Sequence, residues 1–288
     1  MAVEYAPVRA VHKPWGSTDL RPWRALRDSN PVGELWFERP GSPTTDLLLK
    51  LIFTKQNLSI QVHPTDAYAE FIGLAHGKSE AWVILDAAQG ARIALGLRHR
   101  ITPEQLRASL QDGTIMDLVY WRSVAKGDVV LVPAGTIHAI GAGLVIAEIQ
   151  QNIDATFRLY DYGRERKLHI DNGTAAADPG PAQDIPAPRM IDGARTLLAA
   201  DPHFVLERIA LSADSDWAFS ADIEVWLLVV EGRAHLGRMP LSPGEAVFLR
   251  ADRTMIHADA GGMKGLIAYG AAAPLPDLLC EIAGTVTP

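Results

Sequence analysis

The chain has 288 residues, 48% of them hydrophobic, and a single cysteine, Cys280; it can bury a substantial core but can form no internal disulfide or thiolate metal cluster. Its formal charge is −7 and no stretch collects Lys and Arg, which excludes a nucleic-acid footprint while leaving room for a small phosphorylated ligand, since one phosphate needs only two or three placed cations. No run of about 18 apolar residues occurs and the first residues, MAVEYAPVRAVHKPWG, lack the basic-then-apolar order of a secretory leader, so a cytoplasmic protein without membrane contact is expected.

Gly and Pro recur along the chain and separate short runs rich in Val, Ile, Leu, Trp and Phe, the pattern of antiparallel β structure. Strands are predicted over residues 47–54, 58–62, 80–85, 92–97, 129–132 and 144–150. Within this β-rich half, TPEQLRASLQDG predicts a short helix: Thr102 is its N-cap, Pro103 its first residue, Glu104 the reciprocal partner of a capping box, and Gly113 lies near its end. Residues 114–123 carry apolar side chains near helical spacing and predict a second short helix or turn. Residues 174–188, TAAADPGPAQDIPAP, lack any periodic pattern and read as an Ala/Pro-rich linker. Strands then resume over residues 204–211, 224–231, 233–237, 246–249 and 266–269.

Both halves repeat one rhythm, an apolar strand followed by a Gly-plus-acid turn entering another strand: Trp82-Val-Ile-Leu with Gly127-Asp-Val-Val, and Trp226-Leu-Leu-Val with Pro243-Gly-Glu-Ala-Val. The expected architecture is all-β, two jelly-roll barrels in tandem, each a closed double sheet around a cavity. The expected division is an N-terminal catalytic domain over 1–173 with a helical insertion over 102–123, a linker over 174–188, and a C-terminal β domain without metal over 189–288.

In Leu58-Ser-Ile-Gln-Val-His-Pro64, strand alternation puts Gln61 and His63 on one face and Ile60 and Val62 on the other. Glu80 starts a later strand and His138 follows a turn; a carboxylate and an imidazole both suit a divalent ion. Taken singly each residue has a plainer role, a hydrogen-bonded histidine, a rim carboxylate or a solvated amide, so it is their conjunction that points to a site.

The segments Leu47-Leu-Leu-Lys50, Leu58-Ser-Ile-Gln-Val-His-Pro64, Gly77-Lys-Ser-Glu-Ala-Trp82 and Val132-Pro-Ala-Gly-Thr-Ile-His138, continued by Glu148-Ile-Gln-Gln-Asn-Ile-Asp154-Ala-Thr-Phe-Arg158, resemble type I phosphomannose isomerase of the cupin superfamily. His12-Lys-Pro-Trp-Gly16 and Pro31-Val-Gly-Glu-Leu-Trp36 extend the resemblance, which runs from about His12 to Lys167. It implies an aldose–ketose isomerase acting on a sugar phosphate, as monomer or homodimer, with one zinc ion per chain on Gln61, His63, Glu80 and His138. Lacking the large helical insertion of longer members between Glu80 and His138, the chain is similar to the compact bacterial form.

The resemblance also marks Lys50, Lys78, Asp154 and Arg158. Arg158 is a candidate for steadying an enediolate, its permanently charged fork meeting adjacent oxygens; an ion pair with Asp154 or Asp161 is the alternative. Lys50 and Lys78 are candidates for ring opening, proton transfer or phosphate binding, and Asp154 for ring opening or for orienting Arg158. Glu34 and Glu148 read as supporting carboxylates, and Arg164, Arg166 and Lys167 as a basic cluster from which one member reaches the phosphate or none does. His203, His235 and His257 lack ligand-like neighbours, and Trp15, Trp36, Trp82, Trp121, Trp217 and Trp226 read as packing rather than sugar platforms. A non-catalytic sugar-binding cupin, and an epimerase or oxygenase on the same barrel, stay open at this level.

Overall fold

The structure is a computed structural model that describes residues 3–25, 27–39 and 45–282. The first half contains β1 (Val3–Tyr5), β2 (Val8–Asp19), β3 (Arg27–Phe37), β4 (Leu47–Phe53), β5 (Ile60–Val62), α1 (Asp66–Phe71), β6 (Glu80–Ala87), β7 (Arg92–Leu97), α2 (Pro103–Asp112), α3 (Ile115–Leu118), β8 (Val119–Ser123), β9 (Val129–Val132), β10 (His138–Ile140), β11 (Leu144–Gln151), β12 (Phe157–Tyr160) and α4 (Ile170–Ala176). The second contains β13 (Arg189–Met190), β14 (Arg195–Asp201), β15 (Phe204–Leu211), β16 (Asp216–Ala221), β17 (Val225–Leu236), β18 (Met239–Leu241), β19 (Ala246–Leu249), β20 (Asp252–Tyr269) and β21 (Leu279–Glu281).

Two antiparallel sheets face each other in the first half, six strands in the order β2-β3-β4-β11-β6-β9 and five in the order β12-β5-β10-β7-β8. The six-stranded sheet is covered on both faces, which is why β4 reads LLLKLIF with every residue buried. Leu47, Leu49, Leu51 and Phe53 point away from the five-stranded sheet into a core shared with Trp226, Phe248 and Leu266 of the second half. Ile52 points the other way, packing with Trp82, Ile84 and Ile146 against Ile93 and Ile140. Lys50 shares the face of Ile52, so a charged side chain is directed into the interior of the barrel.

In the second half one sheet runs β1-β19-β17-β20-β15-β14-β13, with β16 added through β20. β1 belongs to the first ten residues yet pairs with β19. β20 pairs with β15 over Met263–Tyr269 and with β16 over Asp252–His257; the change of partner follows Gly262, whose φ of +68° few side chains tolerate. The predicted strands over 224–231 and 233–237 are one strand, β17, and that over 266–269 is only the end of β20.

Two local expectations change. The residue that closes the α2 capping box is Gln105, not Glu104: the Thr102 amide donates to Gln105 Oε1 at 2.8 Å and the Gln105 amide to Thr102 Oγ1 at 3.2 Å, because the reciprocal position is three residues past the cap. Of residues 114–123, only the start is helical and the remainder is strand β8. Residues 174–176 complete α4, and the following stretch lies along the first barrel. There Pro181 bridges Gly96, Asp178 bridges Thr136, and Ala182 and Ile185 pack on the cores. The outermost residues of the two expected domains, 1–2 and 283–288, lie outside the described residues. Among the described residues no helix is long and apolar enough to cross a membrane.

Candidate active site

Strand register assembles the site. β5 lies between β10 and β12, and Gln61 stands directly opposite His138 on one side and Arg158 on the other, so the three side chains share a face. On the facing sheet, Glu148 of β11 sits between Lys50 and Trp82, and the next inward row pairs Gln150 with Glu80. One step in the other direction the row is Ile52, Ile146 and Ile84. The barrel interior is therefore polar at one end and apolar at the other.

His63, Glu80 and His138 are buried to within 1% of full coverage, and one ligand atom from each lies within 4.8 Å of the others, a group that can hold a metal ion. His63 Nε2 is 3.1 Å from Glu80 Oε1 and His138 Nε2 is 3.8 Å from Glu80 Oε2. Each imidazole donates its Nδ1–H to a backbone carbonyl, His63 to Ala155 at 2.8 Å and His138 to Thr136 at 2.9 Å. That fixes the tautomer and turns both Nε2 lone pairs to the centre. Burial lowers both imidazoles, helped at His63 by Lys78 and at His138 by His63; His138 falls to about 3, so both are neutral at pH 7. Burial would raise Glu80, but Lys78 and His63 outweigh it and hold the carboxylate well below its ordinary range. Its Oε2 is buried without a hydrogen-bond partner, an orphan acceptor on a carboxylate that faces two imidazole lone pairs, which is the arrangement a cation fits.

Gln61 stands beside His138 across the β5–β10 pair. Its Nε2 lies 3.2 Å from His138 Nε2 and its Oε1 accepts from Ser59 Oγ at 3.2 Å; a half-turn of the amide would turn the oxygen to the centre. Lys78 Nζ lies 2.7 Å from Glu80 Oε1 and 3.4 Å from His63 Nε2. Lys50 forms a separate cluster: its ammonium donates to Glu148 Oε1 at 3.1 Å and to Gln150 Oε1, and stands 3.8 Å from Glu34 and 4.7 Å from the centre of the Trp36 ring. Trp82 Nε1 donates to the other Glu148 oxygen at 3.0 Å. Burial would lower Lys50, but Glu148, Glu34 and Glu80 raise it; burial and then Glu80 raise Glu148.

Lys50, Gln61, Lys78, Glu80, Asp154 and Arg158 all line one cavity of about 330 Å³. Asp154 is at its exposed rim. The ion pair considered for Arg158 is not made with Asp161, which is taken by Arg164 at 2.8 Å and Arg166 at 2.6 Å. Arg158 donates to the Lys167 carbonyl at 2.9 Å, and its Nε is buried without a partner. Of the basic cluster, Arg166 lines the cavity. So do Lys13, 3.6 Å from Glu34, and Trp15 and Trp36, which sequence reading assigned to packing. The signals were present: Lys13 stands in the His12–Gly16 segment, and Ser59, also on the wall, shares the strand face of Gln61. His203, His235 and His257 each pair with an aspartate, respectively Asp66, Asp259 and Asp216.

No family model matches the chain. The mannose-6-phosphate isomerase of Streptococcus mutans is 34% identical over 226 residues, which span 72% of this chain and 70% of that protein. Mannose-6-phosphate isomerase ManA of Bacillus subtilis is 41% identical over 131 residues, 43% of this chain and 41% of that one. The crystal structure of the mannose 6-phosphate isomerase from Bacillus subtilis superposes with a TM-score of 0.82 at 25% identity, covering 93% of this chain and all of that one. With the fold, the buried His–Glu–His group and a relative matched over more than two thirds of its length, the chain belongs to the mannose-6-phosphate isomerase family.

Proposed function

We propose that the chain interconverts mannose 6-phosphate and fructose 6-phosphate in the cavity between the two sheets of the first half, with one zinc ion on His63, Glu80, His138 and Gln61. The observation that carries this reading is the Glu80 carboxylate, one oxygen orphaned, set between two neutral imidazoles, next to a cavity that also presents Lys78 and Arg158. When bound there, zinc would supply a redox-inert Lewis acid beside the oxygens that gain charge as the enediol forms.

The chain's own groups divide the remaining work. Isomerisation moves a proton from C2 of the open aldose to C1, and from O2 to O1. Glu148 suits the carbon proton: burial and Glu80 raise its carboxyl above the ordinary range, which favours a group that must take a proton and return it. Lys78, held at Glu80 and His63, suits a proton at a sugar oxygen. Arg158 offers an unpartnered Nε–H to developing oxygen charge. Asp154 at the rim suits ring opening. Lys50, wholly engaged by Glu148 and Gln150, orients the base rather than meeting substrate.

A coupled assay with mannose 6-phosphate tests the proposal. Wild type turns over; His138→Ala loses both zinc and activity; Arg158→Ala retains zinc and loses about a hundredfold or more in kcat, the usual scale for removing one donor to a developing oxyanion. Full activity in metal-free protein overturns it, and stabilisation by sugar phosphate without turnover assigns a binding module instead.

A further inference from the structure

The segment Gly77–Glu80 carries Lys78 and Glu80 into the site without regular structure of its own before β6 begins. Its geometry is imposed by outside contacts. Lys78 N donates to the Pro64 carbonyl at 3.0 Å, Ser79 N to Gln151 Oε1 at 2.9 Å, and Gly77 N to Asp66 Oδ1 at 2.7 Å. The chain passes so close here that a Cβ on Gly77 would lie 2.6 Å from the Pro64 oxygen, so small shifts have no slack.

Asp66 is the contact that reaches furthest. Its Oδ1 serves Gly77 and also Gln151 Nε2 at 3.5 Å, while its Oδ2 is 3.3 Å from Nε2 of His203. His203 lies in the turn between β14 and β15, its amide donating to Asp201 at 3.0 Å. A histidine of the second half thus holds the carboxylate that holds the segment bearing Lys78 and Glu80.

We infer that Asp66 is a positioning residue for Lys78 and Glu80, and that His203, through Asp66, makes the second half part of the active-site scaffold. The inference rests on the proposed function only for the roles given to those two residues. The charge is not what matters; the acceptor at Gly77 is. Asparagine at position 66 retains an oxygen for the Gly77 amide, and alanine does not.

The test uses full-length zinc-loaded protein and the variants Asp66→Ala, Asp66→Asn, His203→Ala and Asp66→Ala/His203→Ala. It reads kcat and KM for mannose 6-phosphate, zinc affinity by chelator competition, and hydrogen exchange of the Gly77 amide in metal-free protein. Asp66→Ala is expected to lower kcat and zinc affinity about tenfold each, the low end for groups supporting a metal ligand, with KM within about threefold and faster Gly77 exchange. Asp66→Asn is expected to retain most of kcat, His203→Ala to fall between, and the double variant to be no worse than Asp66→Ala, as for residues on one path. Unchanged zinc affinity and Gly77 exchange in Asp66→Ala overturns the inference. So does Asp66→Asn as impaired as Asp66→Ala, or a double variant whose losses multiply. If Asp66→Ala does not fold, unchanged Gly77 exchange in His203→Ala overturns it equally. Absence of turnover in wild type would remove the isomerase reading alone, because zinc affinity and exchange still decide this one.

Discussion

Lys50→Met removes a buried ammonium, 5% exposed, with little change in side-chain volume. Glu148 then keeps Trp82 Nε1 as its donor at 3.0 Å but loses its counter-charge at 3.1 Å. Stranding one member of a buried ion pair costs on the order of 3–5 kcal/mol; Glu148, already raised by burial and Glu80, limits that cost by taking up a proton, so about 2–4 kcal/mol is expected near pH 7. The sign follows from linkage. A carboxyl raised in the folded state favours folding fully below its unfolded value, and that contribution is lost as pH rises through its folded value. With Lys50 gone, Glu148 is raised further, so the deficit relative to wild type grows as pH rises above about 4.3. Urea unfolding of metal-free wild type and Lys50→Met between pH 5 and pH 8 measures it. Lys50→Met/Glu148→Gln, in which no unpaired charge is buried, is expected to recover most of the loss. A deficit under about 1 kcal/mol at pH 7, or one that shrinks as pH rises, refutes the reasoning.

Because burial brings His138 to about 3 and an unfolded histidine titrates near 6.5, the unfolded chain binds more protons between these values. Metal-free protein should therefore lose up to a few kcal/mol of stability as pH falls from about 6.5 toward 3, and His138→Gln should flatten that slope in urea titrations. Thr102→Ala removes the side chain that accepts from the Gln105 amide and should cost about 1 kcal/mol in thermal or urea unfolding without changing kcat, since it is remote from the cavity.

How much of this was legible beforehand differs by element. β4 was visible as a strand because its apolar or stem-bearing run of seven residues is too short for a typical helix, but its two-sided burial required the second half to be in place. β16 is harder to see in the sequence, because Trp217, Phe219 and Ala221 alternate with half-exposed neighbours over only six residues. That Ile60 and Val62 share the face opposite Gln61 was legible from period-two alternation alone.

Sequence by itself determined the strand-rich class and the helix capped at Thr102, because these depend on local periodicity and residue chemistry, and the family motifs marked His63, Glu80 and His138 as candidates. Tertiary structure alone decided that Arg158, Gln61 and His138 stand side by side, that Glu148 is wedged between Lys50 and Trp82, and that His203 reaches Asp66. Those are facts of register and docking between segments 20 to more than 130 residues apart, and no local pattern encodes which residue of one strand will stand opposite which residue of another.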